Sequence, residues 1–167
     1  NLPPTFQELE KQVGVDTFED LRKYVAKRSA FKESGVSQHN RLIERHPIST
    51  GYFWTSYDFA GTKTRQNLLE YPLGPQGVFG GSYGYGDDFA FEHDGGETIF
   101  SLPNGFQAYY LNKADGTSLE KGPTEIVRDL SRTDLAVTNG ISCMGCHDQG
   151  MKNAADDVMP HVVDNRL

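Results

Sequence analysis

Cysteine is nearly absent. The 167 residues include two, and both fall inside the five-residue stretch 143–147. A small secreted scaffold stapled by disulfides would carry more, spread along the chain, so that class is excluded. Long apolar runs are missing too, and no segment approaches the ~20 residues that a spanning helix needs. Positive charge is short. Sixteen Lys and Arg face 23 Asp and Glu, for a formal net charge of −7. Nucleic-acid binding needs clustered cations, but the basic residues here are dispersed, as in Arg22-Lys23 and Lys27-Arg28, which read as a solvated helix face. Hydrophobic residues reach 37%, which is low for a compact fold.

Glycine is plentiful, at 18 residues, and aromatics make up 11%. A planar bound cofactor suits this mix, because it adds apolar surface that the side chains lack. A loop-rich domain without cofactor has the same composition. The length fits one domain, 1–167. The chain opens at Asn1 rather than Met, which is expected of a mature form or an excised domain.

Two helices are expected near the start. Thr5 and Glu8 form a capping-box pattern, and Gly14 ends that turn. Asp16 or Thr17 caps a second helix, with Phe18, Leu21 and Val25 as its buried face and Ser34-Gly35 as its close. Residues 51–59 hold five aromatics and read as a strand. Residues 72–88 are too rich in Gly and Pro for a regular element and form a long loop. Asn104-Gly105 lies between two β-prone runs, 97–103 and 106–111, and predicts a hairpin of type I′. Asp115-Gly116 predicts another turn. Residues 124–129 suit strand or helix, and the polar tail 153–167 suits a helix broken at Pro160. The expected class is α+β: short helices at both ends around a small antiparallel aromatic-rich sheet with an Asn-Gly hairpin.

Chemistry concentrates in Cys143-Met144-Gly145-Cys146-His147, which fits the C-x-x-C-H pattern of haem attachment. Two thiols three positions apart can reach the two vinyl groups on one porphyrin edge. Gly145 lets the backbone pass close to the macrocycle. His147 then comes under the iron as its proximal ligand. The rivals explain less. A thioredoxin-like pair wants a preceding strand in a βαβ unit. Zinc wants two more ligands at metal spacing. A plain disulfide leaves His147 without a role.

On this motif the chain resembles the c-type cytochromes. Residues 40–46, 53–59, 93–110 and 139–142 extend the resemblance to mono-haem modules of larger exported bacterial proteins. The resemblance implies haem c held near the C-terminus, electron transfer, and a periplasmic or extracellular location. It also implies a redox protein or enzyme as partner, in the same polypeptide or outside it. The motif sits late in the chain, behind a hairpin. In that it is similar to cytochromes c′ and to a β-rich group, both of which often leave the iron open on one side.

The far side of the iron decides between carrier and reactor. His93 leads as distal ligand, being next to a sheet edge, followed by His46, then Met159 or Met151. Residues 53, 54, 57, 59, 100, 106, 109 and 110 are aromatic, and about half of those on strands can face a cofactor. Arg128 and Arg132 either pair with haem propionates or are solvated. Asp87, Asp88, Asp94 and Glu97 lack EF-hand spacing and read as a solvated acidic loop. The expected function is one-electron transfer. The alternatives are a five-coordinate haem that binds or reacts with nitric oxide or peroxide, and a docking module that passes charge within a larger chain.

Overall fold

The computed structural model describes residues 2–78 and 88–165. Of the loop expected over 72–88, residues 79–87 lie outside the described residues.

Thr5 caps helix α1 (Phe6–Val13), its Oγ1 accepting from the Glu8 N–H at 3.3 Å. Gly14 closes α1 in the left-handed region, at φ 80°. Asp16 caps α2 (Thr17–Arg22), its Oδ1 accepting from the Glu19 N–H at 2.8 Å. That helix is shorter than its apolar spacing implies. Tyr24 adopts φ 57°, which no right-handed helix tolerates, and the chain turns into strand β1 (Lys27–Phe31). Leu21 is buried, whereas Phe18 and Val25 are exposed, so the expected buried trio reduces to one residue.

Five further strands follow: β2 (Arg41–Ile48), β3 (Gly51–Asp58), β4 (Gly95–Ser101), β5 (Gln107–Lys113) and β6 (Ser118–Leu119). They pair in sequence order into one six-stranded antiparallel sheet. Two short helices, α3 (Ile141–Cys146) and α4 (Met159–Asn165), complete an α+β fold with helices at both ends.

The β4–β5 connection refines the hairpin expectation. Gly105 alone of the Asn-Gly pair has positive φ, at 84°. Its N–H bonds Leu102 O at 3.0 Å, and the Leu102 N–H bonds Phe106 O at 2.8 Å. That is a three-residue loop with Pro103 at the second turn position and a glycine bulge, not a type I′ turn. Nothing lies within 4 Å of a Cβ built at Gly105. Gly105→Ala therefore tests backbone strain alone. It should cost about 1–2 kcal/mol in chemical denaturation, and a change of under a few tenths would contradict the left-handed conformation.

Two other readings change. Residues 124–126 form a turn, with the N–H groups of Ile126 and Val127 both on Pro123 O. The tail helix is not broken at Pro160 but starts there. Proline in a first turn has no N–H to leave unpaired, and Asp156 Oδ1 accepts from the N–H groups of Val158 and Met159.

Alternation divides the sheet into two faces. Phe53, Thr55, Tyr57, Thr98, Phe100, Tyr110, His46 and Glu44 share one face by register. On it, Leu9 of α1 packs with Phe53, Phe100 and Tyr110, and Phe59, Leu68 and Phe91 pack with Tyr57 and Leu42. The opposite face carries Arg41, Asp58, Glu97, Trp54, Ile99, Tyr109 and Leu111. Segment 120–138 returns over it, bridging Lys121 to Thr138 and packing Val127 and Val137 on Leu111. That return delivers α3.

Candidate functional site

Residues 143–147 form the end of α3 and its C-cap. Ser142 secures the helix start. Its N–H bonds Thr138 O at 3.0 Å, and its Oγ accepts from the Thr138 N–H at 3.0 Å. Cys143 and Cys146, three apart on a helix, lie on adjacent turns of one face. Both are free thiols and half-buried. A Cβ built on Gly145 meets nothing within 4 Å, so the backbone between them is open to close approach.

His147 caps α3, its N–H bonding Cys143 O at 2.8 Å. The chain then turns tightly, and Gly150 at φ 90° brings its carbonyl to 3.1 Å from His147 Nδ1. A carbonyl can only accept, so Nδ1 is the protonated nitrogen. That leaves the lone pair on Nε2. A histidine held this way through one nitrogen is oriented as metal-ligating histidines are.

Burial pushes the Cys143 thiol up to about 11; the Gly140 backbone opposes this, and the charge of Glu97 adds to it. A redox dithiol needs its nucleophile shifted the other way, towards the thiolate. Among the described residues no three His, Cys, Asp or Glu converge as a metal-ion cluster. The donors at the motif are thus two free thiols, Cys143 and Cys146, and one oriented imidazole. This set fits a macrocycle bonded through both sulfurs, with its iron ligated from one side.

Beside α3 runs a groove of about 360 Å³, lined by Val36, Arg128, Leu130, Arg132, Ile141 and Cys146 among others. Both arginines are thus brought to the motif. Asp129 between them is held below the usual carboxylate range by hydrogen bonds from Ser131 and then Ser142. Leu130, Ile141 and Met144 are exposed around the motif, Leu130 by 79%. Tyr109 is close enough for Cys143 to help raise its hydroxyl above the ordinary value, after burial. Tyr109 and Trp54 share the face on the α3 side, whereas Phe53, Tyr57, Phe100 and Tyr110 pack in the core on the other. Phe106 is exposed at the hairpin tip.

Of the four expected distal ligands, His46 and His93 sit on the sheet face away from segment 120–138. His46 is fully buried on the opposite face, with Nδ1 at 3.1 Å from Asp20 Oδ2 and Nε2 at 3.2 Å from Glu44 Oε2. Both its nitrogens are engaged. His93 stands edge-on to Tyr57, centroids 5.0 Å apart, on that same face. It lines a cavity of about 400 Å³ of mixed polarity, with Lys63, Gln7 and Asn112 beside Phe6, Phe18 and Phe91. Met159 lines an apolar cavity of about 590 Å³ under β1, and Met151 is exposed after the motif.

Sequence reasoning missed the charged residues beneath the sheet, since nothing local marks them. Asp94, expected in a solvated loop, is bonded by Ala60 N–H, Gln66 and Lys63, which hold it below its ordinary value against burial. Glu97 pairs with Arg41 at 3.3 Å, and Asp88 is exposed.

Burial lowers the His93 pKa from 6.5 to about 4, and the Lys63 charge adds to it. A depressed base stabilises the fold fully above its unfolded value, and that contribution is lost as pH falls through about 4. Asp58, pushed up to about 6 by burial, works in the opposite sense over much of the same window. Stability against pH therefore mixes the two, and His93 is better followed directly. Its C2 proton resonance should stay at the neutral position from roughly pH 8 to 5. An ordinary midpoint near 6.5 would contradict the burial.

No known protein family, curated protein or solved structure matches this chain significantly. No helix among the described residues is long and apolar enough to cross a membrane.

Proposed function

We propose that this domain carries haem c, bound through Cys143 and Cys146 with His147 on the iron, and that it transfers single electrons. The observation that carries the reading is the 3.1 Å bond from His147 Nδ1 to Gly150 O, on the residue directly after two thiols one turn apart. When bound, the haem supplies a one-electron ferric–ferrous couple. The residues of this chain hold and tune it. Cys143 and Cys146 fix the ring edge. Gly150 orients the imidazole and raises its basicity as a ligand. Arg128 and Arg132 line the groove beside α3 and would pair with propionates, with Leu130, Ile141 and Met144 as apolar cover.

Covalent attachment retains the cofactor in a periplasmic or extracellular setting of a bacterial cell. The net charge of −7 favours docking on a basic redox protein or enzyme, whether separate or in the same polypeptide.

A second reading has a specific observation in its favour. His46 and His93 lie on the sheet face away from α3, which favours an iron open on its distal side to nitric oxide or peroxide. Visible spectra of the ferrous protein with and without carbon monoxide separate the two. A low-spin spectrum unmoved by carbon monoxide supports a six-coordinate carrier. A high-spin spectrum that shifts supports the open iron. A protein matured by a cytochrome c assembly system that shows no Soret band would refute both.

A further inference from the structure

Arg41, Asp58 and Glu97 form a charged cluster that haem attachment leaves unused. Arg41 and Asp58 are buried and Glu97 is half-buried, with Arg41 Nε at 2.5 Å from Asp58 Oδ1 and Nη1 at 3.3 Å from Glu97 Oε2. Ser56 locks the arrangement. Its Oγ donates to Asp58 Oδ2 at 2.9 Å and accepts from the Glu97 N–H at 2.9 Å. Two carboxylates thus share one guanidinium, so the fully ionised cluster holds a surplus negative charge out of water, which is costly. Two of its atoms, Arg41 Nη2 and Glu97 Oε1, are buried without a hydrogen-bond partner among the described residues.

A void of about 30 Å³ borders Asp58 and Glu97, with Asp94 and Lys113 at its rim. That is room for one water, and a water there can pass a proton. The cluster lies on the sheet face over which segment 120–138 returns before α3, and the charge of Glu97 helps raise the Cys143 thiol.

We infer that the Arg41–Asp58–Glu97 cluster is a proton-accepting site coupled to the attached haem, so that the domain takes up a proton together with its electron. The inference rests on the haem reading. The balance is simple. One electron arrives from the redox partner, and the charge at the iron falls by one. One proton enters from solvent and forms an O–H bond on the Asp58 carboxylate. No other bond forms or breaks.

The groups facing Asp58 are Arg41 from β2, Ser56 from its own strand and Glu97 from β4, with Asp94 and Lys113 around the shared void and Cys143 beyond Glu97 on α3. Burial raises the Asp58 carboxyl, Arg41 opposes this, and Glu97 adds to the rise, leaving it at about 6. Proton uptake on reduction makes reduction easier at low pH. The reduction potential should therefore fall as pH rises through about 6.

The test is a potentiometric titration of the haem-loaded protein, followed by visible absorbance at several pH values. In the wild type the potential should fall with pH. Asp58→Asn, which keeps the size and the Ser56 bond, should remove the slope. Glu97→Gln takes away a like charge and should move the bend to lower pH, giving a second variant if the first fails to fold. Carboxyl ¹³C resonances give a readout independent of the potential, and the Asp58 midpoint should be higher in the ferrous than in the ferric protein. A haem-loaded wild type with a pH-independent potential, or a slope unchanged in both variants, overturns the inference and leaves the haem reading intact. A matured protein with no haem bands overturns both.

Discussion

Exported protein carrying Cys143→Ala with Cys146→Ala should contain no covalently held haem. The loss should be complete by absorbance after acid–acetone extraction, whereas either single variant should retain a weaker, single-bonded species. The expectation follows from α3, which sets both sulfurs on one helix face with Gly145 leaving open space between them. His147→Ala separates bonding from ligation. It should keep some covalent haem but lose the proximal ligand, with a shifted ferrous spectrum. Equal haem content in the double variant and the wild type would mean that the cofactor is held elsewhere.

Glu44→Ala should be the most damaging single change to the fold away from the motif. Glu44 has no exposed surface, yet it accepts from Arg28 Nε at 2.9 Å and Nη2 at 2.6 Å and from Tyr57 Oη at 3.0 Å, and lies 3.2 Å from His46 Nε2. Burial and the Glu44 charge both hold the Tyr57 hydroxyl well above its ordinary value, so it stays a donor. Deleting the carboxylate takes an acceptor from a half-buried guanidinium that keeps the Gly74 carbonyl, from an imidazole that keeps Asp20, and from the buried Tyr57 hydroxyl. Breaking a buried pair from one side costs about 3–5 kcal/mol. The midpoint and slope of urea unfolding give the value, and Glu44→Gln, which retains an acceptor, should lose less. A loss under about 1 kcal/mol in the alanine variant would mean that the cluster is solvated.

These charges also explain which strands were legible in the sequence. β3, β4 and β5 show aromatic and β-branched residues in alternation, and the turns at 104–105 and 115–116 punctuate them. β2 hides because its buried positions include Arg41, Glu44 and His46. Alternation of apolar and polar residues is what a reader of sequence sees, and here the inward face is polar. β1 offers only Ala30 as a buried apolar residue and joins a misread helix. The left-handed Tyr24 that separates the two has no sequence signal, since tyrosine rarely adopts it.

Residues 143–147 stand out in the sequence because they are contiguous, and they stay together along α3 and its C-cap. Their surroundings do not stand out. That Arg128 and Arg132 reach the motif depends on the return of segment 120–138 over the sheet. That His46 and His93 lie beneath the other face depends on strand register. Spacing along the chain carries neither fact.

The central claim is that Cys143 and Cys146 hold a haem. The direct measurement is the intact mass of protein matured by a cytochrome c assembly system, recorded after acid denaturation. The account predicts a mass exceeding the polypeptide by one haem, lost when both cysteines are replaced. A mass equal to the bare polypeptide, or two hydrogens lighter through a Cys143–Cys146 disulfide, would contradict it.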